Sequence, residues 1–187
     1  MSNNFGGQQA AWSPTGDPET LNEPVIPNAL RGQLGIHVQV KDPGPAGSPG
    51  AVVSRDKQYQ LVKTDSTMTV GPYRGAVAWW SNKATYLVTT TVTTIGRGAV
   101  AGVFGNAVTP GNYCYIQTNG PATVKYIDTP ASAPLATRLF VIPSSTNAKA
   151  DCLAAGTAPS YPILGYSASV QASDATGVVD LDVPYTP

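Results

Sequence analysis

From residue 35 onward, apolar and polar residues change places at every second position over many short runs, which is the period of a strand with one buried face. In "GIHVQV", Ile36, Val38 and Val40 fall on one side and His37 and Gln39 on the other. The same pattern predicts strands in "KQYQLVK", "GAVAWW", "ATYLVTTTVTT", "AVAGVFG", "YCYIQT", "ATVKYI", "TRLFVIP", "ILGYSASVQA" and "GVVDLDVPY". Turn chemistry stands between them in "DPGPAGSPG", "VGPYRG", "TPGN" and "TNGP". No segment holds a sustained 3.6-residue apolar period. The best helix candidate, "NAKADCLAAG", is short and ends at Gly156. Closely spaced strands with Gly and Pro turns predict an all-β fold, a small β-barrel or sandwich, over residues 35–187.

Residues 1–34 read differently. Pro14, Pro18, Pro24 and Pro27 exclude a long helix and favour an extended N-terminal arm. Phe5, Trp12, Leu21, Val25, Ile26 and Leu30 are spaced along it like anchors. A helical turn fits "DPETLNE", with Pro18 at the first helical position after Asp17. Such an arm either lies on a partner's surface or folds back on its own domain.

The stretch from Gly96 to Gly120 raises a chemical alternative, because Gly96-Arg97-Gly98-Ala99-Val100-Ala101 matches the loose G-x-G-x-x-A dinucleotide fingerprint. That fingerprint needs a helix to begin at its glycines, so that the free amides can hold the pyrophosphate. The following "VAGVFGNAVTPGN" is too rich in Gly and Val, and carries a Pro. The ribose-binding acid expected about 20 residues on is replaced by "CYIQTNGP". The stretch therefore predicts a strand at 100–104, a type II turn at Pro110-Gly111, a strand at 113–118, and a further turn at Asn119-Gly120. No cofactor is expected.

Composition narrows the partners. Eleven Lys and Arg balance eleven Asp and Glu, so neither nucleic acid nor an anionic membrane is an expected partner. Only 12% of residues are charged, against about 25% in typical domains; this suits a β protein working inside an assembly or outside a cell. The N-terminus lacks a secretory pattern and no apolar run approaches a membrane span, so a soluble protein made in a cytoplasm is expected. Cys114 and Cys152 are read as separate buried thiols.

Candidate chemistry is sparse. The single histidine, His37, sits mid-strand with no G-x-S-x-G elbow anywhere, which speaks against triad catalysis. Glu19 and Glu23 lie in the arm, a poor frame for a glycosidase pair. Asp180 and Asp182 share a strand face opposite Val179, Leu181 and Val183, and read as a solvent face rather than a calcium site. No catalytic or metal site is expected. Trp79 and Trp80 should point to opposite faces, one into the core and the other to a subunit interface, with a sugar-stacking platform as the alternative.

The order "AGVFGNAVTPGNYCYIQTNGPATVKY", "APLATRLFVIPS", "APSYPILGYSASVQASDATGVVDLDV" resembles the small β-barrel of tailed-bacteriophage head decoration, or cement, proteins. The matching positions are Gly111, Tyr113, Ile116 and Gln117 of a G-x-Y-x-x-I-Q strand, and later Ile163-Leu164-Gly165. The resemblance covers about residues 96–183. It implies a structural virion protein, not an enzyme, sitting as a homotrimer on the outer surface of the capsid and bound to the major capsid protein. The arm would bury its apolar anchors on the shell. The alternative is a carbohydrate- or receptor-binding β module.

Overall fold

The computed structural model describes residues 18, 20–26, 32–40, 56–92, 99–127, 139–154, 156–160, 162–168 and 176–183. Among them lie ten strands: β1 (His37–Val40), β2 (Lys57–Thr64), β3 (Val77–Asn82), β4 (Leu87–Thr89), β5 (Val100–Phe104), β6 (Tyr113–Lys125), β7 (Phe140–Pro143), β8 (Ala150–Cys152), β9 (Gly165–Ser167) and β10 (Thr176–Asp182). The protein is all-β, as its two-residue period predicts.

Five strands close a barrel. They run β2-β4-β3-β5-β6, and β6 pairs back onto β2. Each pairing is antiparallel except β2 with β4, which is parallel. All five contribute side chains to one cluster, Val62, Ala78, Val88, Ala101, Phe104, Cys114 and Ile116, which is the barrel interior. A ring of so few strands is narrow. Alanines on β3 and β5 therefore face the bulkier Phe104 and Ile116. The ring begins at Lys57, well before residue 96, where the phage-family resemblance begins.

β6 is the hinge of the architecture. Its first half pairs with β2 and β5 and its second half with β10, which starts the series β10-β9-β7-β8. The series curls back at a single parallel bridge between Tyr126 and Ala150, where the Ile127 amide donates to the Ala150 carbonyl. A second cluster lies between this sheet and the outer faces of β3 and β5. It joins Trp79, Val100 and Val103 to Val124, Val141, Cys152, Leu164, Val179 and Leu181. A third cluster, Leu21, Val38, Tyr59, Leu61 and Tyr115, packs the N-terminal segment and β1 against the outside of the barrel. β2 shows how one strand serves two layers: Tyr59 and Leu61 face outward to the third cluster, while Val62 faces the interior.

Three expectations change. The turn expected at Asn119-Gly120 is absent, and one strand runs through it. Gly120 is needed there for a different reason: its φ is +84°, and a Cβ would stand 2.7 Å from the Asp56 carbonyl oxygen, where β2 begins. The helix expected over "NAKADCLAAG" is β8 instead. Ala148, at φ 63°, breaks any helix, and Ala148, Ala150 and Cys152 are buried in alternation with half-buried Lys149 and Asp151. The strand expected from Ala84 starts only at Leu87, after a 3-10 turn (Lys83–Thr85) and left-handed Tyr86.

The turn at Pro110-Gly111 forms as its residues dictate. The Asn112 amide donates to the Thr109 carbonyl at 3.1 Å and Gly111 has φ 91°, the geometry of a type II turn. Val100–Phe104 is strand, where a dinucleotide site would need helix.

Candidate functional site

The arm anchors divide into two groups. Phe5, Trp12 and Leu30 lie outside the described residues. Leu21 is 3% exposed and Ile26 is half-buried, both packed into the third cluster against β1, β2 and β6. Glu23 fixes this segment by an antiparallel bridge to Tyr113, with hydrogen bonds of 3.2 and 2.8 Å in the two directions. The Asn22 side chain adds bonds to the Thr109 amide and to the Asn112 side chain. So the segment around "LNE" is extended rather than helical. It folds back on its own domain, which removes Leu21 from the set able to anchor elsewhere. Val25, 64% exposed, is the described anchor that faces outward.

The tryptophan pair splits as a strand requires. Trp79 is 3% exposed and belongs to the core between the barrel wall and the second sheet, so it cannot line a subunit contact or stack on a sugar. Its Nε1–H has no hydrogen-bond partner among the described residues. Trp80 is half-buried over the barrel interior and meets Tyr86 edge-on, with centroids 6.2 Å apart and planes at 68°. Of the pair, only Trp80 reaches the surface.

The remaining candidates carry little chemistry. His37 faces solvent from β1, and partial burial lowers its pKa below the ordinary value. Cys114 lies in the barrel interior and Cys152 in the second cluster. Burial raises both thiols, Cys152 to about 11 and Cys114 beyond that, so both are protonated and unreactive at neutral pH. Tyr126 lies beside Cys152; burial first, then that thiol by charge and by hydrogen bonding, raise it, and apart from the weakly bonding thiol its hydroxyl has no partner among the described residues. Tyr115 is likewise pushed up to about 12 by burial. Asp180 and Asp182 lie on the outward face of β10 while Val179 and Leu181 are buried, as their alternation predicts. No group of three or more His, Cys, Asp or Glu side chains gathers among the described residues. No described helix is long and apolar enough to cross a membrane.

An open groove of about 190 Å³ is the feature that sequence reading missed. It runs along β6 where that strand passes from β2 to β10, between Lys57 and Arg74, over Val103, Phe104, Pro121, Ala122, Thr123 and Val178. Its residues come from β2, β5, β6, β10 and the turn before β3, so no local pattern could have revealed it. Val178 is exposed, as is Tyr166 of β9.

No protein-family model matches this chain, and neither does any curated protein. The site must therefore be read from its own geometry.

Proposed function

We propose that the protein is a structural virion protein of the decoration, or cement, type: it binds the outside of a bacteriophage capsid, stabilises it and catalyses nothing. The observation that carries this reading is how the resembling stretch folds. Gly111 makes the type II turn, and Tyr113, Ile116 and Gln117 follow on β6, the strand that belongs to both sheets. Ile163-Leu164-Gly165 leads into β9, which pairs antiparallel with β10. The motif residues thus form the frame on which the rest of the protein is built.

The major capsid protein is the partner in this reading, and the protein acts as a homotrimer on the shell. Binding would be repeated over a symmetric lattice, so modest contacts add up through avidity. Because Leu21 and Ile26 pack on the domain, shell contact falls in this reading to Val25 and to the anchors Phe5, Trp12 and Leu30.

The test mixes purified protein with undecorated phage capsids and images them by cryo-electron microscopy, beside a chain lacking residues 1–17. Ordered density at symmetry-related junctions, weakened by the truncation, is the expected result. Bare capsids from folded full-length protein defeat the reading. They would favour the carbohydrate alternative, which now rests on Trp80 and Tyr86 and is checked by glycan binding lost in Trp80→Ala.

A further inference from the structure

The groove along β6 has a local cause. β6 pairs with β5 through Ile116 with Phe104 and Gln117 with Val103, and beyond Gly120 it belongs to the second sheet, so a crease opens between the end of β5 and the second half of β6. Gln117, 3% exposed, ties this bend: its Nε2 donates to the Asn119 and Pro121 carbonyls at 3.0 Å each. Pro121 has no amide hydrogen to leave unpaired there. The buried side chains of Val103, Phe104 and Ala122 give the groove an apolar floor.

Two cations stand at its rims. Gly75 clamps one rim: its amide donates to the Phe104 carbonyl at 2.8 Å and its carbonyl accepts from the Lys125 amide at 2.9 Å, which fixes Arg74 beside the end of β5. Lys57 begins β2 against Gly120, where a Cβ on the glycine would stand 3.2 Å from the lysine Cα. Among the described residues that line the groove, none is acidic. Asp56, next to Lys57, is held by the Gln39 Nε2 at 2.6 Å, and Asp180, across from Pro121 on β10, is engaged within the chain. Lys57 is engaged as well, so the directional contact falls to the exposed Arg74 guanidinium, a planar fork matched to a carboxylate.

We propose that this groove is a docking site for a partner protein, which inserts one acidic side chain of an extended segment between the rims. The carboxylate meets Arg74, and the apolar atoms beside it rest on Val103, Phe104 and Ala122. Size favours a side chain over a free metabolite: about 190 Å³ lies below the roughly 300–1,000 Å³ of typical small-molecule sites. Charge selects an acid. Gln117 spends its amide hydrogens on backbone carbonyls, so its oxygen is what it offers, and an oxygen accepts from a backbone N–H of the segment. The inference goes beyond the proposed function, because it names a contact apart from the arm and does not depend on a shell. Its test uses no capsid, so its failure is distinct from failure to decorate one.

The full chain, labelled with nitrogen-15, is titrated with the peptide acetyl-Leu-Glu-Leu-amide while NMR follows the backbone amides. Saturable shifts at Gly105, Gln117 and Thr123 are expected. Acetyl-Leu-Gln-Leu-amide, equal in shape but uncharged, should bind at least about threefold more weakly, and so should the acidic peptide to Arg74→Glu. Acetate at the same ionic strength should not saturate these shifts. Arg74 is exposed, and the comparison of the two peptides on unaltered protein stands even if its variant fails to fold. The proposal is overturned by an acidic peptide that gives no saturable shifts, by equal binding of the two peptides, or by a folded Arg74→Glu that binds as wild type does. Saturation by acetate alone would mark an anion site only and overturns it too.

Discussion

At the scale of single residues, the structure turns on a few close approaches. Gly165 sits where a Cβ would stand 1.9 Å from the Asp180 carbonyl oxygen and 2.9 Å from the Leu181 Cα, so β9 and β10 meet backbone to backbone. Gly165→Ala should destabilise the fold by at least about 2 kcal/mol, because backbone rather than a flexible side chain must yield; thermal unfolding measures it. Tyr126 poses the reverse case. Its buried hydroxyl has only the weakly bonding Cys152 thiol beside it among the described residues, and a buried polar group left without a good partner costs roughly 1–3 kcal/mol. Tyr126→Phe should leave the melting temperature unchanged or raise it. A loss above about 1 kcal/mol would reveal a hydrogen bond at that hydroxyl. Neither property was legible in the sequence. Gly165 stood out only as part of a motif, and Tyr126 as one aromatic residue in an alternating run.

At the scale of elements, the period-2 pattern placed strand segments well, since alternation on one strand is a local consequence of having one buried face. The ends and connections depended on neighbours. The "NAKADCLAAG" run holds alanines that favour a helix in isolation, yet Ala148 donates to the Thr90 carbonyl and accepts from the Val77 amide, holding the segment to β3 and the chain after β4. These distant hydrogen bonds outweigh a helix propensity of a few tenths of a kcal/mol per residue. A second connection is electrostatic. Asp65, just past β2, accepts from the Thr67 amide at 2.8 Å, from the Thr67 hydroxyl at 2.7 Å and from Ser81 on β3 at 2.9 Å. The Thr67 amide first, its hydroxyl next and Ser81 last lower the Asp65 pKa, against an opposing effect of burial. A lowered carboxylate pKa stabilises the fold above the ordinary value of 3.8, and the contribution is lost as pH falls through the folded-state value. Asp65→Asn should therefore unfold more easily than wild type at neutral pH, by under about 1 kcal/mol for so solvent-screened a group. The two proteins should converge in melting temperature in acid below 3.8.

At the scale of the whole molecule, three cores share one set of strands: the barrel interior, the space under the second sheet, and the outer face covered by the N-terminal segment. The boundary between arm and domain shifts accordingly. Removing residues 1–34 strips Leu21 from its core and breaks both backbone hydrogen bonds between Glu23 and Tyr113. That truncation should cost about 2–5 kcal/mol, the scale of emptying a buried leucine site. Removing only residues 1–17 leaves those contacts in place and should cost far less; chemical denaturation of the two truncated chains compares them.

The sequence by itself determined the all-β class, the inward and outward faces of β1 and β10, the type II turn at Pro110-Gly111 and the split of Trp79 from Trp80. These follow from neighbours along the chain, where pleat geometry and backbone preference act over a few residues. Tertiary structure alone decided that β6 runs through Asn119-Gly120, that β2 and β6 close the ring, that Leu21 returns to the domain, and that Lys57, Arg74 and Val178 line one groove. Those outcomes depend on which strands become partners, and that is settled by burying side chains far apart in sequence, a competition that no local pattern records.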